Sequence, residues 1–261
     1  MARRRKPISW QAFHLPKHGH TAEEYEDAFA ANGGSRRFAV ADGASESSYA
    51  LLWARELVEG FVNLDVKAAS NPNWVQPLQR RWAEAVDAFP LPWYAEAKRE
   101  QGAFATFLGL QLQRRGLDRG TWRCLAVGDS CLFQIRADQV IAAFPLTRSD
   151  EFDNLPGLIG SRMAAVAPWK KRQGRWRAGD RFLLMTDALG QWFLRQRERV
   201  HKPEAPAKGS SLAGASGLYG GCDCIMNVMT ADQAAFAAWI SDLRGRGELR
   251  NDDVTLIDIR L

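Results

Sequence analysis

Acidic residues lie at the ends of four apolar, β-branched runs of the chain. Asp42, Asp129 and Asp187 follow such runs closely, and Asp252 comes shortly before the last one. If these runs are strands of one fold, their ends can bring several carboxylates to one place. Hard divalent cations are bound by oxygen ligands from distant parts of a chain. The candidate ligands are Asp27, Asp42, Asp129, Asp187, Asp252 and Asp253.

Such a carboxylate cluster can hold two cations, which turn a bridging water into hydroxide for in-line attack on phosphorus. Gly43 directly follows Asp42, and a glycine lets its backbone carbonyl approach a metal without a side chain in the way. Each aspartate alone is typical of a cap or a turn. The coincidence at four run ends favours a metal site.

Composition and length predict one folded domain over residues 1–261. The chain is 46% hydrophobic and 25% charged, as in globular proteins. The acidic run ends extend from residue 27 to residue 253, so a division of the chain would separate them. We interpret residues 1–10 as a basic N-terminal tail. Residues 202–221, rich in Pro, Ala, Gly and Ser, are interpreted as a loop or mobile segment.

The formal charge of +5 is spread along the chain, and the one tight basic cluster is Arg3–Lys6. This is a weak indication of nucleic-acid binding. There is no secretory signal pattern and no apolar run near the ~18 residues that a membrane-spanning helix needs. We therefore expect a cytoplasmic protein without a membrane or nucleic-acid partner, and a monomer.

Hydrophobic periodicity predicts an alternation of strands and helices that places the acidic residues on strand ends. A turn at Asn32–Ser35 joins two strands that deliver Asp27 and Asp42. Tryptophans fall in helical patterns, which favours core packing. The predicted elements are helices at 45–69, 74–99, 188–199 and 231–243, an antiparallel meander over 104–144, a surface excursion over 147–171, and strands at 182–185 and 254–259.

The chain resembles the metal-dependent protein serine/threonine phosphatases of the PPM or type 2C family, in its compact bacterial form. Five segments carry the resemblance, in the family's order and over nearly the whole chain: Glu26–Ala28, Val40–Gly43, Val127–Ser130, Gly179–Asp187 and Asp252–Leu256. The resemblance implies an α+β fold, an α-β-β-α sandwich of two antiparallel sheets flanked by helices. The metal cleft would lie at one end of the sandwich.

The resemblance also implies a role for each matching residue. Asp27, Asp42, Asp187 and Asp252 would serve two tight Mn²⁺ or Mg²⁺ ions directly or through water, with the Gly43 backbone as a further ligand. Asp42 and Asp187 would be catalytic, and Asp129 would bind a third, weaker ion together with Asp187. The implied reaction is hydrolysis of phosphoserine and phosphothreonine in proteins by a metal-bridging hydroxide. A serine/threonine kinase would oppose it in signalling.

Three positions depart from the family pattern. Ala44 stands where many relatives carry a histidine that can protonate the leaving group, and Ala188 stands where a glycine is usual. The arginine that contacts substrate phosphate in many relatives is missing before Glu26, which leaves His18 and His20 as the candidate phosphate contacts. These departures keep two alternatives open: a PPM-fold regulatory or binding module with weak catalysis, and another two-metal phosphoesterase such as a nuclease.

Overall fold

The computed structural model describes residues 8–44, 49–63, 72–88, 100–153, 155–162, 167–201 and 232–261. Its strands form two five-stranded antiparallel sheets and one small strand pair. The first sheet has the order β1 (Ser9–Leu15), β12 (Val254–Arg260), β11 (Arg181–Met185), β7 (Cys131–Arg136) and β8 (Gln139–Phe144). The second sheet has the order β10 (Lys170–Arg177), β6 (Arg119–Val127), β5 (Phe107–Arg114), β3 (Arg37–Ala41) and β2 (Ala28–Asn32). The small pair is β4 (Phe104–Ala105) with β9 (Ile159–Gly160).

The two sheets pack face to face, and helices cover their outer faces. Phe38, Leu108, Phe182 and Ile257 belong to the core between the sheets. Helices α1 (Ala50–Asn63) and α2 (Val75–Asp87) pack on the second sheet, and α3 (Asp187–His201) and α4 (Gln233–Gly245) pack on the first. The α-β-β-α sandwich implied by the sequence is confirmed.

Continuous apolar runs became the central strands because both of their faces are covered. All five residues of β3 and all five of β11 are buried, which explains why neither shows polar alternation. The hairpin prediction is also confirmed, since β2 pairs with β3 in the register Ala28↔Ala41. The tryptophans at 53, 74, 82 and 192 are buried, as their periodicity predicted.

Three strands were missed: β1, β9 and β10. β9 lies within the predicted surface excursion over 147–171, and β10 begins at its end. β10 is an edge strand with mostly exposed side chains, so it lacks the apolar pattern of a buried strand. β1 includes Ser9 and Trp10, which the sequence assigned to the basic tail, while residues 1–7 lie outside the described residues. The predicted mobile segment 202–221 also lies outside them. In the described part of the chain, no helix is long and apolar enough to cross a membrane.

A polar network joins the sheets at the end where β11 begins. Asp180 accepts hydrogen bonds from Arg136 Nε and Nη2, each at 2.7 Å, and from Gln134 Nε2 at 2.8 Å. Gln134 in turn accepts one from Trp122 Nε1 at 2.9 Å. Because Trp122 belongs to the second sheet and Gln134 to the first, these contacts fix how one sheet sits on the other.

We expect Asp180→Ala to lower the free energy of unfolding by about 3 kcal/mol at neutral pH, because it leaves Arg136 and Gln134 without their carboxylate. Burial alone raises the pKa of Asp180, but the hydrogen bonds from Arg136 and the Arg177 backbone bring it below its usual value. The contribution is therefore complete above the unfolded-state pKa and is lost as the pH falls through the folded one. Urea denaturation of both proteins at pH 7 and at acid pH measures it. Equal stability at pH 7 would contradict this role.

Candidate metal centre

Antiparallel pairing brings the acidic strand ends to one end of the sandwich. Asp27 precedes β2 and Asp42 follows β3, so the register Ala28↔Ala41 places them side by side. In the first sheet, Asp187 follows β11 and Asp252 lies just before β12, with Met185 opposite Leu256. The predicted convergence of strand ends is therefore what the topology produces.

Asp27 is a buried carboxylate with one oxygen held and the other left open. Its Oδ2 accepts a hydrogen bond from Thr255 Oγ1 at 2.7 Å. Because that hydroxyl donates to Asp27, the buried Tyr25 hydroxyl, which contacts Thr255 Oγ1, donates to it in turn. Asp27 Oδ1 is buried and has no hydrogen-bond partner within the described residues. Thr255 and Tyr25 thus orient Asp27, a role that was not predicted for either residue from the sequence.

Thr106 connects two of the acidic loops. Its backbone N–H donates to Asp42 O at 2.8 Å, and Asp42 N–H donates to Thr106 Oγ1 at 3.3 Å. The same hydroxyl lies 3.0 Å from Ser130 Oγ, next to Asp129. This role could not be predicted from the sequence, because Thr106 lies in the short break between β4 and β5.

The carboxylates are close enough to raise one another's pKa. Burial, then the charges of Asp27, Asp187 and Asp129, hold the pKa of Asp42 well above its usual value. Burial, and then Asp187, raises the pKa of Asp129 to about 7. Burial is also the largest cause of the raised pKa of Asp27, followed among the raising causes by Asp253 and Asp187. The site is therefore a cluster of carboxylates in which ionising one raises the cost of ionising the others.

Asp187 and Asp252 share a basic partner. Arg250 Nη2 contacts Asp187 Oδ2 and lies 3.0 Å from Asp252 Oδ2. Asp187 also begins α3, where its carboxylate accepts the Ala188 N–H, a favourable position for negative charge. Burial raises the pKa of Asp187, while Arg250 opposes that rise. Arg250 was not predicted to belong to the site, although it lies two residues before Asp252.

Asp253, a candidate ligand, ties two backbone segments together. Its Oδ1 accepts the Lys17 N–H at 2.8 Å and its Oδ2 accepts the Glu26 N–H at 2.7 Å. Both carboxylate oxygens are therefore engaged by the segment that leads into Asp27. Arg244 of α4 supports the same region by donating to the carbonyls of Pro16, at 2.8 Å, and Asp252.

The two candidate phosphate contacts, His18 and His20, lie on an exposed loop beside Asp252. The His18 N–H donates to Asn251 Oδ1 at 2.7 Å, and Asn251 Nδ2 donates back to His18 O at 3.3 Å. The His20 N–H closes a turn onto Lys17 O at 3.1 Å. Within the described residues, neither imidazole has a hydrogen-bond partner. The loop is thus held next to the cluster, and phosphate contact by His18 and His20 stays a prediction.

Gly43 is required by packing. A Cβ at this position would lie 2.7 Å from the carbonyl oxygen of Glu26, which is closer than a side chain tolerates. The residue also forms a β-bridge with Ala105. A metal contact by its backbone stays a prediction.

The donors fit a hard divalent cation, although the described residues do not form a closed cage. No group of three His, Cys, Asp or Glu side chains in those ranges is arranged to coordinate one ion. The available ligands are carboxylate oxygens, the type preferred by Mg²⁺ and Mn²⁺. Asp27 Oδ1 and Asp129 Oδ1 are both buried without a partner among the described residues, and a cation would satisfy them.

Comparisons with known proteins agree with this fold. A family model described as protein phosphatase 2C matches residues 16–207. PppA of Pseudomonas aeruginosa is 14% identical, with a TM-score of 0.59 over 98% of each chain. The catalytic domain of the serine/threonine phosphatase PstP, in complex with two manganese ions, is 16% identical, with a TM-score of 0.58 over 97% of each chain.

A third structure, the PPM phosphatase MsPP from Mycobacterium smegmatis in complex with cacodylate, is 17% identical, with a TM-score of 0.54. The match covers 97% of this chain and 98% of MsPP. At these identities the likenesses show a shared fold. A comparison with curated proteins found no significant match.

We expect the metal-free protein to lose stability as the pH rises from about 5 to about 8. The folded-state pKa values of Asp27, Asp42 and Asp129 lie above the unfolded value of ~3.9. The folded state therefore binds more protons across this window, and stability falls as the pH rises through the folded pKa values. Urea denaturation in EDTA at several pH values measures this, and Asp129→Asn should flatten the dependence. A stability that rises over the window would refute it.

Proposed function

The chain belongs to the protein phosphatase 2C family, and on that basis we propose that it hydrolyses phosphoserine and phosphothreonine in proteins with Mn²⁺ or Mg²⁺ bound. The expected partners are a phosphorylated protein and the serine/threonine kinase that phosphorylates it. The observation that supports this most is a pair of buried oxygens, Asp27 Oδ1 and Asp129 Oδ1, that have no hydrogen-bond partner among the described residues and lie within a cluster of acids that raise one another's pKa.

Asp27, Asp42, Asp187 and Asp252 would hold the tight ions, and Asp129 would share a weaker one with Asp187. Bound cations supply Lewis acidity, which makes a water nucleophilic and neutralises charge on the phosphate. Thr255 holds Oδ2 of Asp27 by a hydrogen bond, and Oδ1, which has no hydrogen-bond partner among the described residues, is left to bind an ion. Thr106 fixes the backbone of Asp42 in the same way.

Proton transfer to the leaving group has no donor at the position after Gly43. The methyl group of Ala44 cannot donate a proton, so solvent or another side chain must do so. His18 and His20 are exposed on the adjoining loop, and we propose that they face the phosphate of the substrate.

A second candidate function is a binding or regulatory module with weak catalysis. One observation favours it: the Arg250 guanidinium contacts both Asp187 and Asp252, two of the proposed ligands. Metal-dependent turnover separates the candidates. The test is hydrolysis of p-nitrophenyl phosphate and of a phosphothreonine peptide, each with and without Mn²⁺; turnover of both that requires Mn²⁺ supports the phosphatase.

We expect Asp42→Asn and Asp187→Asn each to reduce Mn²⁺-dependent turnover by at least about 100-fold. Loss of a ligand should exceed the roughly 10–100-fold effect of residues that only support ligands. Asp242→Asn is the matched control, because Asp242 forms an exposed ion pair with Arg246 on the surface of α4. Circular dichroism checks that each variant is folded. Full activity in both site variants would remove these residues from the site.

We expect Asp129→Ala to impair turnover without lowering stability. Its removal relieves the repulsion with Asp187, so the melting temperature in EDTA should stay level or rise. The rate constant kcat should fall, and activity should require more Mn²⁺. If Asp129 only caps its turn, the variant would instead lose about 0.5–2 kcal/mol of stability and keep an unchanged Mn²⁺ titration curve.

A further inference from the structure

Arg250 connects two strand ends of the first sheet through a single nitrogen atom. Its Nη2 contacts Asp187 Oδ2, after β11, and lies 3.0 Å from Asp252 Oδ2, before β12. The other oxygen of each carboxylate accepts a backbone N–H, from Ala188 at Asp187 Oδ1 and from Asp253 at Asp252 Oδ1. The guanidinium nitrogen therefore contacts the two oxygens that would be left for a cation shared by this pair.

We propose that Arg250 is an internal counter-ion for the Asp187–Asp252 pair, and that a divalent cation binds this pair only by displacing the guanidinium. The inference rests on the proposed metal-dependent function. It adds that Arg250 regulates the binding of a divalent cation to this pair.

The charges explain why the two states exclude each other. An arginine stays protonated in proteins, so the guanidinium cannot leave the pair by losing its charge. A divalent cation would need the same oxygens at a shorter distance, where the two positive charges would repel. Displacement is sterically possible because 44% of the Arg250 side chain is exposed to solvent.

The other half of the cluster has no such counter-ion. In the part of the chain that the structure describes, Asp27 and Asp42 form no salt bridge with a basic side chain, and Asp27 Oδ1 has no partner. The two halves should therefore load differently. A cation reaches Asp27 and Asp42 without competition, whereas at Asp187 and Asp252 it must exchange with Arg250.

Mn²⁺ titration of the full chain by calorimetry tests this exchange. Arg250→Gln removes the competing charge and should bind Mn²⁺ about fivefold more tightly, the upper range for a partly exposed ion pair. In EDTA its melting temperature should fall below that of the wild type, and saturating Mn²⁺ should close the gap. Arg81→Gln, which removes an exposed ion pair with Glu56, should leave the Mn²⁺ affinity unchanged.

The outcomes separate this inference from the proposed function. Wild-type binding that Arg250→Gln leaves equal or weakens would overturn the inference and leave the function standing. Binding by Arg250→Gln but not by the wild type would support the inference and contradict metal-dependent turnover by the native chain. Binding by neither would overturn both. If Arg250→Gln does not fold, Arg250→Met, which removes the charge but keeps an unbranched stem, should bind Mn²⁺ more tightly than the wild type, and equal or weaker binding would refute the exchange.

Discussion

Repulsion among buried carboxylates at one end of the sandwich is the constraint on which the functional part of this structure depends. Asp27, Asp42 and Asp129 are each held in surroundings that raise their pKa, and each adds to the cost of charging another. Without the constraint of the fold, the cost of burying neighbouring charges would turn such side chains towards water. They stay together because the two sheets fix their strand ends.

Strand register and a few side-chain ties provide that fixation. The pairing Ala28↔Ala41 commits Asp27 and Asp42 to adjacent positions before any side-chain contact is made. Asp253 then joins the end of the first sheet to the segment before Asp27 through two backbone N–H groups. Asp253, whose two carboxylate oxygens are satisfied, therefore positions Asp27, whose Oδ1 has no hydrogen-bond partner among the described residues.

Apolar pattern and residue type were enough to predict the alternation of strands and helices and the convergence of the acidic strand ends, whereas the sandwich itself followed from the family resemblance. They failed where a strand lacks an apolar face, as in β10, which is polar because it lies at a sheet edge. They also could not separate Asp252 from Asp253, since neighbouring aspartates look equivalent until backbone donors are located. Arg250 and Thr106 were missed for a related reason: Asp187, which Arg250 contacts, and Asp42, which Thr106 contacts, are distant from them in sequence and are brought near only by the fold.

Aspartates at the two ends of β11 differ in how far basic and amide side chains compensate their charge. Asp180, at the start of β11, is satisfied by Arg136 and Gln134, and the buried Asp258 is bonded to Arg181 and Arg260. Their negative charges are compensated by these partners, and the contacts stabilise the fold. At the other end of β11 the acids outnumber the bases that contact them, and the excess negative charge is what a divalent cation would neutralise. Arg250 is intermediate between the two cases, because it compensates one pair of acids while remaining exposed enough to leave them. The network around Asp180 thus holds the sheets in register against the repulsion among the carboxylates at the opposite end of β11.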